Sequence, residues 1–357
     1  MDVLIIYQFC TFGGVERAVL NRVQSLKQSG LNLHVSMGYL NDSGALASFQ
    51  NYIQTHGLSD QLSAFVFSST SNFDWHKYQL ILVIDTPQIL DLLQKNNNVF
   101  VECHTTYHHN QQYLASLPQN IRGLLVPSVS LKNELLKKFH NLPPIHIIPN
   151  PVPDVFYQDA PAPHGMIFAK RPLVYFARVD SLKNFDEALN IYLSSSQNHE
   201  LMYMVIGRGA GDPKLVSALK KKNLLERTLL RDQIPFDQAP YLTQLVRRHR
   251  GIFLSPSKGE SFGLSAAEFM AARVPVLLSD IPAHRELVEN DERFLYQLGN
   301  VNMATKKLSH LLHNWDEMSR AIASYAHKFR GEAFLSAWMA FLADLETTDI
   351  IQKSNSR

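Results

Sequence analysis

Short runs of apolar residues, rich in valine and isoleucine, recur along the chain and are separated by segments with a different periodicity. Such runs are typical of strands that are buried on both faces of a sheet. The segments between them repeat at helical spacing, as Val15, Val19 and Leu26 do after the first run. Alternation of strand and helix predicts an α/β protein with parallel sheets. The predicted strands are Val3–Tyr7, Leu80–Ile84, Val99–Val101, Gly123–Val126, His146–Ile148, Leu173–Ala177, Met202–Ile206, Gly251–Leu254 and Val274–Leu278.

Prolines are concentrated in residues 141–164, between two stretches of the strand and helix pattern. Proline fixes φ and stops helices, so this segment predicts a stiff connection with a hinge near 150–165. We therefore predict two Rossmann-like domains, residues 1–150 and 165–330, and the length of the chain agrees with about two domains. The aromatic pattern from Tyr325 to about Leu345 predicts a tail helix, whose residues 331–347 pack back on the first domain. Ligands bind at the carboxyl ends of parallel strands, so we expect the site in a cleft between the two sheets.

Charge and cysteine content restrict the class of protein. The chain has 34 Lys and Arg against 32 Asp and Glu, which gives a net charge of +2 and no basic half that predicts a nucleic-acid partner. Its two cysteines, Cys10 and Cys103, are typical of a reduced, cytoplasmic protein. Met1 and Asp2 lead straight into a strand rather than a signal peptide, and the apolar runs fall short of the ~20 residues of a membrane span.

The most informative motif runs from Ser255 to Glu268, out of a predicted strand and into a predicted helix. If the helix starts near Leu264, Glu260 lies in the loop before it and Glu268 in its second turn. The N–H groups at the start of a helix are donors at the positive end of its dipole, where a diphosphate fits. Carboxylates on either side suit the hydroxyl groups of a sugar and a ribose. The alternative is helix capping with an ordinary surface glutamate.

A second motif contains Arg178 and Lys183 in another predicted loop between a strand and a helix. Two cations in such a loop can neutralise the charge that grows on a departing diphosphate. The alternative is that both are solvated surface cations.

A third motif, Gly13-Gly14, follows the first strand and lets the backbone approach a ligand. The alternative there is a plain tight turn, because the spacing is not that of the dinucleotide fingerprint.

His104 follows the strand Val99–Val101, where the strand opens toward the predicted cleft. The alternatives are a structural or exposed histidine and a zinc site that includes His108 and His109. A zinc site at these residues lacks a fourth ligand, so we do not favour it. The chain contains no Asp-x-Asp pair to hold a metal-bound diphosphate. We therefore predict neither a metal nor a cofactor.

In these motifs the chain resembles the retaining glycosyltransferases of family 4, which have the two-domain GT-B fold. Arg178 and Lys183 have the family's Arg-x4-Lys spacing, and Glu260 and Glu268 form its E-x7-E motif. The resemblance extends over nearly the whole chain in the right order. The weaker matches are Gly13-Gly14, His104, Pro127-Ser128, Ile148-Pro149-Asn150, Ile206-Gly207-Arg208-Gly209 and Phe262-Gly263-Leu264.

The resemblance implies roles for the matched residues. Arg178 and Lys183 would hold the donor diphosphate and Glu260 would bind the transferred sugar, and these three are the candidate catalytic residues. His104 would lie near that sugar, and Glu268 would bind the ribose. Family members need no metal. The predicted donor-binding residues are Gly13, Gly14, His104, Gly207, Ser261, Phe262, Gly263, Leu264 and Glu268.

The chain departs from the family's pattern at four positions where the family usually has glycine: Ala177, Ser261, Pro151 and Arg273. Ala177 and Ser261 are small changes. Arg273 needs a backbone angle that glycine adopts more easily than other residues. These departures bear on the choice of donor more than on the fold.

The sequence therefore predicts a metal-independent retaining hexosyltransferase (EC 2.4). It would move a sugar from a nucleoside diphosphate sugar, with UDP favoured, to an acceptor hydroxyl. The resemblance implies a glycan or lipid-linked acceptor of the cell envelope, polysaccharide biosynthesis, and a peripheral contact with the inner face of the membrane. The alternatives are a non-catalytic sugar-nucleotide-binding partner subunit, and a sugar-nucleotide epimerase or phosphorylase on the same scaffold. Phe73, Trp75 and Tyr107 are acceptor-side candidates, although core packing explains them equally well.

Overall fold

The computed structural model describes residues 1–96, 98–159, 168–195 and 200–355, with side chains as far as residue 345. The chain forms two compact units, one of Met1–Pro151 with Arg330–Arg357 and the other of Val152–Phe329. The passage from the first unit to the second falls inside the segment predicted as a hinge. Residues 160–165 of that hinge, and the predicted start of the second domain at 165, lie outside the described residues.

The elements alternate along the chain as the apolar pattern predicts. The strands are β1 (Asp2–Cys10), β2 (His34–Asp42), β3 (Leu62–Val66), β4 (Leu80–Ile84), β5 (Val99–Glu102), β6 (Ile121–Val126), β7 (Ile145–Ile147), β8 (Arg171–Phe176), β9 (Leu201–Ile206), β10 (Thr228–Arg231), β11 (Ile252–Ser255), β12 (Val276–Ser279) and β13 (Leu295–Tyr296). The helices are α1 (Gly14–Gln28), α2 (Leu46–Thr55), α3 (His108–Gln111), α4 (Val129–Lys138), α5 (Phe185–Ser194), α6 (Pro213–Lys221), α7 (Ala239–Arg248), α8 (Leu264–Ala271), α9 (Pro282–Leu287), α10 (Val301–His313), α11 (Trp315–Ala326) and α12 (Gly331–Asn355).

The first unit is built on a sheet of seven parallel strands in the order β3-β2-β1-β4-β5-β6-β7. All five residues of β4 are buried, as expected for a strand with helices on both faces of its sheet. The order of the strands reverses between β1 and β4. This reversal is the switch point at which open α/β sheets bind ligands.

The second unit repeats this plan with six parallel strands in the order β10-β9-β8-β11-β12-β13. Its switch point lies between β8 and β11. The predicted α/β class with two Rossmann-like parallel sheets is therefore confirmed. Each unit also has its own apolar core, as independent domains require.

Four strands were not among those predicted: β2, β3, β10 and β13. Ser36 and Gly38 interrupt the apolar pattern of β2, although most of that strand is buried. Strand β3 lies at one edge of its sheet, and β10 and β13 lie at the two edges of the other. Edge strands are less buried or shorter than central ones, so their apolar signal is weaker.

The tail helix begins later than the prediction from Tyr325. Helix α11 ends at Ala326, and α12 begins at Gly331 and belongs to the first unit. Helix α12 packs against α1, and the ring of Phe341 lies 5.1 Å from that of Phe100. A Cβ atom at Gly331 would come within 2.9 Å of Ser25 Oγ, so a close approach to α1 requires glycine there.

Candidate functional site

The two strongest motifs lie next to each other at the switch point of the second unit. The loop with Arg178 and Lys183 follows β8, and the loop with Glu260 follows β11. Strands β8 and β11 are hydrogen-bonded neighbours, so both loops leave the same edge of the sheet. The topology therefore brings together residues that are about 80 positions apart in sequence.

Lys183 and Glu260 form a direct ion pair. The Nζ atom of Lys183 lies 2.7 Å from each carboxylate oxygen of Glu260, and Ser257 Oγ donates to Oε1 at 2.7 Å. Burial works to raise the pKa of Glu260, but the charges of Lys183 and His284, together with the hydrogen bonds from Lys183 and Ser257, hold that pKa below its ordinary value. The carboxylate is therefore charged at neutral pH.

Backbone contacts fix the relative position of the two loops. Lys258 N–H donates to the carbonyl of Leu182 at 2.8 Å, and the side-chain amide of Asn184 donates to the carbonyl of Pro256 at 3.1 Å. Asn184 has a left-handed φ of 55°, a conformation that asparagine tolerates better than most residues. Asp180 accepts the N–H of Lys183 at 2.8 Å. These hydrogen bonds thus hold the backbone around Lys183 in a defined turn.

Arg178 is more exposed than Lys183. Its guanidinium lies 3.2 Å from the carboxylate of Asp180, and 53% of its side chain is accessible. The hydroxyl of buried Tyr175 donates to the carbonyl of Arg178 at 2.6 Å and so holds the backbone of the loop in place at Arg178. Burial raises the pKa of Tyr175, which keeps this hydroxyl a donor. The loop is fixed while the guanidinium remains accessible.

Helix α8 begins at Leu264, where the sequence predicts it, and Glu268 lies in its second turn. Glu268 is completely buried. Gly263 precedes the helix with a φ of 93°, and a Cβ atom there would come within 2.9 Å of Leu287. Phe262 is buried and packs edge-on against Phe329, so its ring belongs to the core of the unit.

Gly207 is required by the packing of the chain itself. It has a φ of 143°, and a Cβ atom would lie 2.1 Å from the carbonyl oxygen of Ala177. Next to it, the N–H of Val179 donates to the carbonyl of Arg208 at 2.9 Å. The glycine turn after β9 therefore supports the Arg178 loop, in addition to any contact with a ligand.

Sequence reasoning missed His284 in this unit. It lies in α9 after β12, is completely buried, and its Nδ1 contacts the carbonyl oxygen of Ser279 at 2.8 Å. Burial lowers its pKa, although the charge of Glu260 acts in the opposite direction. A polar residue shortly after a buried strand was the available signal, but a single histidine in that position rarely indicates a site.

The glycine loop of the first unit follows β1 at the other switch point. Phe12 has a left-handed φ of 51°. Glu16 is buried in the first turn of α1 and accepts the N–H groups of Gly13 at 2.7 Å and Thr11 at 3.2 Å. Burial raises its pKa. Gly14 is exposed, and among the described residues no atom lies within 4 Å of a Cβ built there, so the fold does not demand glycine at this position.

His104 follows β5 and is held by two carboxylates. Its Nε2 lies 2.7 Å from Glu102 Oε1, and its N–H donates to Asp85 Oδ2 at 2.9 Å. Arg22 of α1 reaches the same Glu102 oxygen at 2.6 Å. Sequence reasoning identified His104 but not Glu102, Asp85 or Arg22. Glu102 and Asp85 lie at the ends of strands, whereas the position of Arg22 depends on how α1 packs.

The aromatic candidates for an acceptor pack largely among themselves. The rings of Phe73 and Trp75 are 4.6 Å apart, Phe73 lies 4.9 Å from Phe67, and Trp75 is buried. Tyr107 lies 5.7 Å from the ring of His109 and is partly exposed. Core packing thus accounts for Phe73 and Trp75, and Tyr107 stays a candidate.

Within the described ranges, no three His, Cys, Asp or Glu side chains are grouped so that they could hold a metal ion. The zinc hypothesis for His104, His108 and His109 therefore finds no support in this part of the chain. None of the helices that the structure describes is both long enough and apolar enough to cross a membrane.

Residues 167–329 match the family model of the glycosyl transferases group 1. This segment contains the Lys183–Glu260 pair and both loops of the second switch point. Solved structures match over nearly the whole chain. HepE of Anabaena, in complex with UDP and glucose, has a TM-score of 0.76 at 14% identity and covers 96% of this chain and 100% of its own. Sucrose-phosphate synthase from Thermosynechococcus elongatus has a TM-score of 0.69 at 16% identity, with coverages of 98% and 100%.

The chain has the GT-B fold. At these identities the structural likeness establishes the fold alone, and together with the family match it supports a GT-B glycosyltransferase. Among curated relatives, a sucrose synthase from Nitrosomonas europaea is 28% identical over 153 residues, which are 39% of this chain and 19% of the relative. The O-antigen biosynthesis glycosyltransferase WclY of Escherichia coli is 31% identical over 94 residues, which are 26% of this chain and 25% of WclY. The chain thus spans about a quarter or less of the length of these two relatives.

Proposed function

We propose that this GT-B protein is a retaining glycosyltransferase that moves a sugar from a nucleoside diphosphate sugar, with UDP favoured, to an acceptor hydroxyl. The observation that carries the proposal is the Lys183–Glu260 pair at the switch point of the second unit. It lies inside the segment that matches the glycosyl transferase model. The matched structure of HepE contains UDP and glucose, which supports UDP as the donor nucleotide.

The proposed donor site uses the charges of both loops. Lys183 and Arg178 would bind the diphosphate oxygens, and the N–H groups at the start of α8 would add donors at the positive end of the helix dipole. Glu260 would accept hydrogen bonds from hydroxyls of the transferred sugar, and Glu268 from the ribose. The second unit would then be the donor domain and the first the acceptor domain.

In the proposed reaction, the bond from the anomeric carbon to the phosphate oxygen breaks and its electron pair leaves with the diphosphate. The acceptor oxygen attacks the anomeric carbon from the same face, so the anomeric configuration is retained. The acceptor's proton passes to the departing phosphate oxygen. Lys183 and Arg178 would stabilise the charge that develops on that diphosphate. The step requires neither a protein nucleophile nor a metal.

For the acceptor we propose only a chemical class. The match to the O-antigen glycosyltransferase WclY supports a glycan acceptor, whether free or attached to a lipid, in the synthesis of a cell-envelope polysaccharide. A cytoplasmic location with a peripheral membrane contact is part of the same proposal. The first unit would present Gly14 to this acceptor and His104 to the transferred sugar.

A panel of nucleoside diphosphate sugars tests the donor. Thermal-shift measurements should show stabilisation by one donor class, and that donor should give a glycoside with unchanged anomeric configuration in the presence of an acceptor glycan. Binding without turnover would instead identify a non-catalytic partner subunit, and a donor epimer formed without an acceptor would identify an epimerase. An inverted product would contradict retention, and no stabilisation by any donor would contradict the donor site itself.

A further inference from the structure

A buried carboxylate connects an arginine and a histidine near the switch point of the first unit. Glu102 ends β5, and its side chain is completely buried. Its Oε1 atom lies 2.6 Å from Arg22 Nη2 and 2.7 Å from His104 Nε2, whereas Oε2 has no hydrogen-bond partner among the described residues. The side chains of Arg22 and His104 thus converge on a single oxygen.

The charge of Glu102 determines which nitrogen of His104 carries hydrogen. Burial works to raise the pKa of Glu102, but Arg22 and His104 bring it down to about 2. An ionised carboxylate only accepts hydrogen bonds, so the Nε2 atom of His104 must be the protonated nitrogen. In the neutral ring Nδ1 is then an acceptor, and Nδ1 has no hydrogen-bond partner within the described part of the chain.

The surroundings hold this arrangement rigidly. The N–H of His104 donates to Asp85 Oδ2 at 2.9 Å, and Tyr113 donates its hydroxyl to the other oxygen of Asp85 at 3.1 Å. On the far side, Arg22 also donates to Asn150 Oδ1 at 2.9 Å. The imidazole is therefore fixed by α1, by the ends of β4 and β5, and by the segment after β7. Such support gives a site residue one orientation rather than several.

We propose that Glu102 and Arg22 are positioning residues that hold His104 as its Nε2–H tautomer, so that Nδ1 accepts a hydrogen bond from a hydroxyl of the transferred sugar. This inference rests on the proposed function, because that function places His104 beside the sugar. A purely structural ion pair would hold α1 to the sheet without any effect on the chemistry of His104. The two possibilities predict different results for the conservative variant Glu102→Gln.

Nuclear magnetic resonance of the His104 ring nitrogens tests the tautomer in the folded chain without any substrate. The wild-type ring should show hydrogen on Nε2 when neutral. In Glu102→Gln, hydrogen on Nδ1 of the neutral ring should become populated, because a side-chain amide can donate to Nε2 as well as accept from it. The other charged or titratable groups around the ring, Asp85, Arg22, Cys103 and Tyr113, are unchanged in this variant.

Glu134→Gln is the matched control, since it removes an ion-paired but only partly buried carboxylate of the same unit. It should leave the tautomer of His104 as it is in the wild type. Hydrogen on Nδ1 in the wild-type neutral ring, or a tautomer population that does not change in Glu102→Gln, would overturn the positioning role.

A double-mutant cycle tests the contribution to transfer. Glu102→Gln should lower kcat roughly tenfold to hundredfold, the size of effect typical of residues that support a ligand-binding side chain. In a His104→Ala background it should cause no further loss, because its effect acts through His104. Equal losses in both backgrounds would show a structural role only and overturn the proposal. If the wild-type chain transfers no sugar at all, the proposed function and the sugar contact fail together, and the ring nitrogens still decide the tautomer.

Discussion

The switch points of the two units each carry an acid paired with a cation from another element, but at different depths. Glu102 is completely buried and Arg22 is 5% exposed, whereas Glu260 and Lys183 keep 15% and 19% of their side chains accessible. Separating a buried pair leaves an uncompensated charge, so such partners stay together. A pair in contact with solvent can exchange partners at lower cost. We therefore expect His104 in the first unit to keep one orientation, and the Lys183–Glu260 pair of the second unit to be able to exchange partners.

The largest expected effect comes from removing the cation of the exchangeable pair. Lys183→Ala should lower kcat by about a hundredfold to a thousandfold, the typical loss when one group that stabilises a developing anion is removed. The thermal unfolding temperature should change little, because the pair is partly exposed. Steady-state kinetics with the best donor measures the effect.

Lys306→Ala is its control, since Lys306 is an exposed lysine on α10 of the same unit. It should transfer sugar at the wild-type rate. Wild-type turnover in Lys183→Ala would remove the assignment of Lys183 to the donor diphosphate and with it the contrast between the two pairs.

The dependence of stability on acid pH compares the completely buried Glu102 with the partly accessible Glu260. The pKa of Glu102 lies at about 2 against an ordinary value of 4.5, so its contribution is complete above pH 4.5 and is lost as the pH falls toward 2. That contribution is about 3 kcal/mol of the free energy of unfolding. Urea unfolding of Glu102→Gln between pH 4.5 and 2 should therefore show a weaker dependence on pH than the wild type.

Glu260→Gln should show the same sign with a smaller change, because the pKa of Glu260 is lowered by a pair that solvent screens. If Glu260→Gln altered the pH dependence as much as Glu102→Gln does, the deeper burial of Glu102 would not make its ion pair contribute more to the free energy of unfolding.

Two glycines, one near each switch point, extend the comparison. The packing of the chain requires glycine at position 207, whereas only a bound substrate would require it at position 14. Gly207→Ala would force a Cβ atom against the carbonyl of Ala177 at a φ of 143°, so the free energy of unfolding should fall by about 2–3 kcal/mol. Gly14→Ala meets open space, so stability should be maintained while the KM of a substrate rises about tenfold. Thermal unfolding and steady-state kinetics of both variants measure these effects. A Gly14→Ala enzyme with unchanged KM would show that no substrate contacts this loop.

The smallest expected effect concerns Arg273, which follows α8 with a left-handed φ of 61° and an exposed side chain. Glycine adopts this conformation without the penalty that other residues incur. Arg273→Gly should therefore raise the free energy of unfolding by about 0.5–1 kcal/mol. Chemical denaturation measures it, and Arg273→Ala is the control that removes the side chain but retains the Cβ atom. Lower activity in both variants would indicate that the guanidinium contacts a substrate.

Much of the second unit's site could be predicted because its motifs are local. The helix that begins at Leu264 and the position of Glu268 in its second turn follow from spacing alone. Sequence reasoning assigned Lys183 to the diphosphate and Glu260 to the sugar, yet it did not predict that they bind each other. Ser257 and His284 were not identified either, because their relation to Glu260 depends on how separate loops pack.

The amino-acid sequence by itself determined the parallel α/β class, the two-unit plan and the loops in which charged residues follow buried strands. These properties depend on short-range periodicity and on the polarity of neighbouring residues. Only the tertiary structure decided that Arg22 reaches Glu102, that Glu102 contacts Nε2 of His104, and that Lys183 pairs with Glu260. Such contacts join residues far apart in sequence, and their energies depend on burial and distance, which become defined only when the sheets and helices pack.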